Sequence, residues 1–376
     1  MPLTACAVWT KRYDVPAAFP LAAKSGAVSG VFVPVISDLS CQHINVVVYS
    51  PAEKMAAVSP YLNPDWPDAV WDVSGAFVND RELIAFYDFC KMLLGFEPFN
   101  IVHGSPLCTW NSGRVLKHLM CDAEEIRAAG LEYAARNIAM YYTFTNLNLK
   151  EEHMKDPFGN AMLTFAVNHN PTKRNSVIMA SDALYDHVRR EFPTLRTVSS
   201  ILKITNGGGK GKLEVYQRLA DKYDEVMVHP DDVLNYDLLE KIEDKERHIL
   251  LVNEYCIRQC PLRPYHYSTL SEMSLNYFSY DTSAFDKRQN NNGCKDMGTL
   301  LTHEKHSVLA LTVAEIKRLR DMGFRHFKMQ GRGHANASSI LFDLLRLVLR
   351  NDAADENAMH AISQRFWESI LPHQPA

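Results

Sequence analysis

Residues 176–202, SVIMASDALYDHVRREFPTLRTVSSIL, pass from a short apolar run through an amphipathic stretch into a second short apolar run. Ser176–Ala180 and Arg196–Leu202 have the length and β-branched content of strands, and Ala183–Phe192 between them has helical spacing. The same strand–helix alternation extends in both directions. Upstream lie the strand candidates Phe99–His103 and Met140–Thr145; downstream lie Glu225–His229, His248–Asn253, Ser307–Leu311 and Phe324–Gln330. Helical patterns fall between them at Arg114–Arg136, Lys212–Lys222, Tyr236–Asp244 and Val313–Met322, and Ala335–Arg350 closes the series. Eight strands alternating with helices predict a closed parallel α/β barrel of the (β/α)8 TIM type. The open doubly wound sheet is the alternative, but no early strand is followed by a glycine-rich dinucleotide turn.

Residues 1–97 fit the repeat poorly and read as an N-terminal α/β extension packed on the barrel. They hold apolar runs at Val28–Ile36 and Ile44–Tyr49, a Pro/Trp-rich stretch at Tyr61–Trp71, and a helix at Asp80–Leu94. The barrel then occupies 98–352, and 353–376 form a C-terminal helix, Asn357–Ile370, with a frayed tail. The formal net charge is −4 over 376 residues with mixed signs, which gives no basic footprint for duplex nucleic acid. No apolar run reaches a membrane span, and Met1–Tyr13 lacks a signal-peptide core. The expectation is a soluble cytoplasmic protein with a core large enough to need no disulfides.

Eight cysteines are the unusual feature: Cys6, Cys41, Cys90, Cys108, Cys121, Cys256, Cys260 and Cys294. Reduced cysteines in clusters bind metal or do chemistry more often than isolated ones. The informative segment is residues 248–267, HILLVNEYCIRQCPLRPYHY, in which a strand is followed by Glu254, Cys256, Cys260-Pro261 and His266. In a barrel these residues leave the strand at the catalytic face. Two thiolates four apart reach one metal centre, and a Cys-Pro pair is common in cluster-ligating runs. Cys294, in the polar loop NNNGCKDMG, is placed to supply a third ligand, with Gly293 allowing close backbone approach. A buried-hydrophobe reading of Cys256 and Cys260 is disfavoured by Glu254, Arg258, Gln259 and Arg263 around them. A zinc site is the second metal reading, although the paired Cys-x-x-Cys knuckle is missing. Cys90 and Cys121 read as packing residues.

NEYCIRQCP, followed by a downstream cysteine, resembles the signature region of the collagenase-like peptidase U32 family. Residues 99–114, FNIVHGSPLCTWNSGR, resemble that family's first barrel motif, and the likeness spans roughly residues 99–332. The tighter spacing and glycine-poor character of CIRQC mark a distant relative. The resemblance implies a [4Fe–4S] cluster on Cys256, Cys260 and Cys294, with Cys108, His266, Cys41 or a substrate atom as the fourth ligand. It implies an oxygen-independent redox or atom-transfer reaction, hydroxylation-like, on a small, RNA or aromatic substrate. Glu254 and His266 would then transfer protons beside the cluster. A metal-dependent peptidase or other hydrolase with a Cys/His zinc is the alternative. A cluster-bearing subunit of a heterodimer with a paired family member is the third reading.

Other polar residues fall at strand ends. His229, Gln330, Arg332 and Asn206 are candidate substrate-binding groups for a small molecule, Arg332 because its guanidinium fork matches a carboxylate or phosphate. Asp182 reads as a helix cap. Residues 206–212, NGGGKGK, are not a Walker loop, since Leu213 stands where Ser or Thr would bind magnesium. That loop reads either as an anion cradle at the next helix start or as a flexible turn.

Overall fold

The computed structural model describes residues 31–35, 45–49, 59–106, 108–112, 121–275, 308–331, 337–350 and 356–370. Its centre is a closed, eight-stranded, all-parallel barrel with helices between the strands, as the alternation predicts. In chain order the strands preceding it are β1 (Val31–Val35) and β2 (Asn45–Tyr49), an antiparallel pair. The barrel strands are β3 (Val70–Ser74), β4 (Ile101–Gly104), β5 (Ala139–Phe144), β6 (Ser176–Met179), β7 (Arg196–Ser199), β8 (Glu225–Met227), β9 (His248–Leu251) and β12 (His326–Met329). The ring closes by pairing β12 with both β3 and β9.

One barrel strand is not where the sequence pattern put it. Val308–Ala310 (β11), expected in the ring, pairs antiparallel with β10 (Asn253–Ile257), which continues the chain just past β9. The vacant barrel position is taken by β3, from inside the stretch read as an extension. A three-residue apolar run carries no sign of which ladder it joins. In β3 the pattern VWDVS is interrupted by a charge and follows a Pro/Trp-rich lead, which hides a strand from a hydropathy reading.

The helices are α1 (Asp80–Phe89), α2 (Ala123–Ala135), α3 (Pro157–Asn168), α4 (Asp182–Glu191), α5 (Ile201–Asn206), α6 (Leu213–Lys222), α7 (Tyr236–Lys241), α8 (Arg263–Leu275), α9 (Val313–Asp321), α10 (Ser338–Val348) and α11 (Glu356–Ile370). Local chemistry sets their starts. Asp122 and Thr312 form capping boxes with Glu125 and Glu315, and Asp156 caps α3 ahead of Pro157. Ser181, not Asp182, caps α4 through its side chain. Gly159 lets α3 lie on the Trp110 ring; a Cβ there would sit 2.6 Å from ring carbons.

The barrel's entry and exit are stitched together. Leu62 and Leu349 form an antiparallel bridge, Asn63 N–H donates to the Val348 carbonyl (2.8 Å), and Arg350 N–H donates to the Tyr61 carbonyl (2.9 Å). Phe366 of α11 packs edge-on against Phe86 and Phe89 of α1. No helix among the described residues is long and apolar enough to cross a membrane.

Candidate functional site

Strand register fixes which side chains enter the barrel. Asp72 pairs with Lys328 across one ladder, Ser74 with His103 across the next, and His103 with Tyr141 after that. Alternation then sends Asp72, Ser74, His103, Tyr141, Thr143, Glu225, His326 and Lys328 inward. A barrel interior is usually filled with branched aliphatic residues, so this much charge is informative.

The charges are organised as a chain along the barrel. At the strand starts, Glu225 accepts from the Tyr141 hydroxyl (2.6 Å) and lies 3.6 Å from Arg196. His326 stands between Glu225 (3.5 Å) and Asp72 (3.8 Å), with both carboxylates raising its pKa against the effect of burial. Burial would push the Glu225 carboxyl up, but His326, Arg196 and the Tyr141 hydroxyl bring it down to about 2.

Nearer the strand ends, Asp72 is completely buried and accepts from two side chains. His103 Nδ1 lies 2.5 Å from its Oδ1, and Lys328 Nζ lies 2.9 Å from its Oδ2. Burial alone would raise its pKa; His103 and Lys328 overcome that and hold it well below the usual carboxylate range. An ionised Asp72 can only accept, so His103 carries a proton on Nδ1 directed at it. Ser74 Oγ and Thr143 Oγ1, on the same inward faces, are buried hydroxyls without a hydrogen-bond partner among the described residues. These groups lie in the half of the barrel where the strands end, the usual catalytic face of this architecture. Sequence reading passed over all of them. The available signal was a lone Asp, His or Lys inside otherwise apolar strands: VWDVS, IVHG and HFKM.

The cysteine turn lies on β10 and the segment after it. Glu254 is fully buried, and Arg263 clamps both its oxygens, at 2.7 and 2.9 Å. The other Arg263 nitrogen donates to the Ile257 carbonyl (3.0 Å) and lies 3.8 Å from Asp231. Between the thiols, Gln259 takes a left-handed φ of 55° and its N–H donates to Asp231 (2.9 Å), while Cys260 N–H donates to Ile257 O (3.3 Å). Glu254 is thus the anchor of the turn that carries Cys256 and Cys260. Both thiols are half-buried and reduced, and the Arg263 guanidinium interacts electrostatically with Cys256. That setting suits a thiolate ligand pair.

Cys108, a candidate fourth ligand, does not join them among the described residues. Among the described residues no three His, Cys, Asp or Glu side chains form a metal-holding group, so Cys108 does not converge with Cys256 and Cys260. Burial pushes the Cys108 thiol far up, and Asp156 adds to it, which disfavours a thiolate there. Cys294 lies outside the described residues, as does Arg332. The described donors therefore fit two ligands of a cluster or zinc centre and not a complete set.

The remaining expected site residues are scattered. His266 is in α8, its pKa lowered by burial. His229 is buried, accepts from Asp231 N–H (3.1 Å) through Nδ1, and is pushed down to about 4 by burial and by Arg263. Asn253 grips the Gln330 backbone, accepting from its N–H (2.7 Å) and donating to its carbonyl (3.2 Å), which ties the start of β10 to the end of β12. Asn206 ends α5 and donates to the Pro264 carbonyl (3.4 Å). The glycine-rich loop is no anion cradle. Its Gly207, Gly208 and Gly209 amides donate to carbonyls of α5, and Gly211 N–H donates to Asp232 (2.9 Å).

No protein-family model matches this chain, and no curated protein matches it. Among solved structures it is similar to the one described as "The Structure of the U32 Peptidase Mk0906". The TM-score is 0.44 at 12% identity, over 76% of this chain and 99% of that one.

Proposed function

We propose that the chain is a barrel enzyme that performs acid–base chemistry on a small polar substrate at the strand-end mouth. The observation that carries this reading is the fully buried Asp72 carboxylate, held between His103 and Lys328. In the proposed mechanism Asp72 fixes the His103 tautomer, and His103 Nε2 takes or returns the substrate proton. Lys328 supplies a fixed positive charge for a developing anion, and the Ser74 and Thr143 hydroxyls orient polar groups of the substrate. Water exclusion by the surrounding barrel strengthens each of these interactions.

In addition, Cys256, Cys260 and Cys294 would hold a thiolate-bound metal centre, an iron–sulfur cluster in the first reading and zinc in the second. A cluster would supply electron transfer, making the reaction a redox or atom-transfer step of the hydroxylation-like class; zinc would supply Lewis acidity for a hydrolase. What supports a metal is the pair of half-buried thiols on an arginine-anchored turn.

Two measurements test the proposal. Anaerobically purified protein should contain iron and acid-labile sulfide and lose them in Cys256→Ala. Stoichiometric zinc would select the hydrolase, and absence of both would sink the metal reading. For the acid–base centre, a metabolite pool is incubated with the wild type and with His103→Asn, and compound turnover is followed by mass spectrometry. A conversion that His103→Asn slows by about 10²–10⁴-fold is expected. Undiminished conversion by a folded His103→Asn protein would overturn the assignment.

A further inference from the structure

A second polar cluster lies outside the barrel interior, in a groove of about 420 Å³ bounded by α4, α5 and α6. Asp182, expected as a helix cap, instead accepts from two lysines on one oxygen: Lys203 Nζ and Lys222 Nζ each lie 2.8 Å from Oδ1. Arg218 lines the same groove, is exposed, and makes no ion pair or hydrogen bond among the described residues. Three cations thus face Asp182, with Asp186 the other carboxylate that acts on Tyr223, leaving the cations in excess.

The groove's other wall is apolar and includes Leu147, Val215 and Leu219. Tyr223 completes it. Its ring lies beneath both ammonium groups, 6.0 Å from Lys203 Nζ and 5.9 Å from Lys222 Nζ. Tyr223 is 1% exposed, and its hydroxyl has no hydrogen-bond partner among the described residues. A buried, unpaired hydroxyl is costly, so a ligand able to pair with it gains more than a surface contact would give.

We propose that this groove binds a phosphate monoester carrying an apolar or aromatic body. The phosphate would lie against Lys203, Lys222 and Arg218, with the Tyr223 hydroxyl donating to one of its oxygens, and the organic part against the aliphatic wall. Arg218 supplies the planar fork that matches a phosphate, while the lysines act as point charges already held in place by Asp182. The reading of this groove does not depend on the chemistry assigned to the barrel interior.

Phenyl phosphate, inorganic phosphate and benzoate, titrated at constant ionic strength and followed by calorimetry, provide the test. Phenyl phosphate is expected to bind most tightly, and Arg218→Ala to weaken it about tenfold, the loss of one charge-assisted contact. Tyr223→Phe should weaken it severalfold while leaving the melting temperature of the free protein unchanged or raised, because the lost hydroxyl has no partner there. Benzoate binding as tightly as phenyl phosphate would overturn the phosphate assignment. Phenyl phosphate binding that is absent, or that survives unchanged in both variants, would overturn the site itself.

Discussion

At the residue scale the sharpest contrast is between charges legible from their neighbours and charges legible only through the closed ring. Glu254 and Arg263 are nine residues apart, and their pairing is local. Arg263→Met would leave a buried carboxylate uncompensated, so an unfolding free energy lower by about 3–5 kcal/mol is expected in denaturant titration. The double change Glu254→Gln with Arg263→Met should recover part of that loss, because it removes the stranded charge. Asp72 meets partners 31 and 256 residues away, His103 and Lys328. Nothing near any one of the three in sequence announces the others, so the cysteine turn is legible in the sequence while the Asp72 cluster is not. The His103 tautomer is open to a direct check. Nitrogen-15 spectra should show His103 as the Nδ1–H form, and Asp72→Asn should disturb that signature while the protein stays folded.

At the scale of elements, strand–helix alternation is enough to predict the barrel, helped by side-chain caps at the starts of α2, α3, α4 and α9. Membership in the ring was harder. The apolar three-residue β11 looks more like a ring strand than the charge-interrupted β3, and only long-range ladders show that β3 holds the place. Packing between elements shows the same dependence on distant chain. Gly159, in α3, is matched to Trp110, which follows β4. Gly159→Ala should lower stability by about 1–3 kcal/mol, since the added methyl must displace a fully buried ring. Thermal unfolding with near-ultraviolet circular dichroism would report both the loss and the altered Trp110 environment.

For the molecule as a whole, buried ionisable groups set the response to acid. His229 and His248 are held neutral by burial, each brought down to about 4. The unfolded chain protonates near pH 6.5, so their stabilisation is present above that value and fades as pH falls from about 6.5 toward 4. The loss is on the order of 3 kcal/mol per imidazole, from the size of the shift. Glu225 continues the trend below its unfolded value of about 4.3, losing its contribution as pH approaches 2. His326 works in the opposite sense, contributing most at low pH and losing it as pH rises through its elevated pKa. Unfolding free energy measured against pH should therefore decline below about 6.5, and His248→Gln should flatten the curve between 6.5 and 4. The bridge between Leu62 and Leu349 bears on a different kind of robustness. With Arg350 also donating to the Pro60 carbonyl, 290 residues away, the two flanks of the barrel form a noncovalent clasp. One peptide bond cut in the turn at Asn170–Lys173, where Pro171 and Lys173 are exposed, would leave two fragments held by that clasp and by the strand ladders. The nicked protein should travel as one particle in gel filtration and come apart only in denaturant, a molecule whose integrity outlasts the continuity of its backbone.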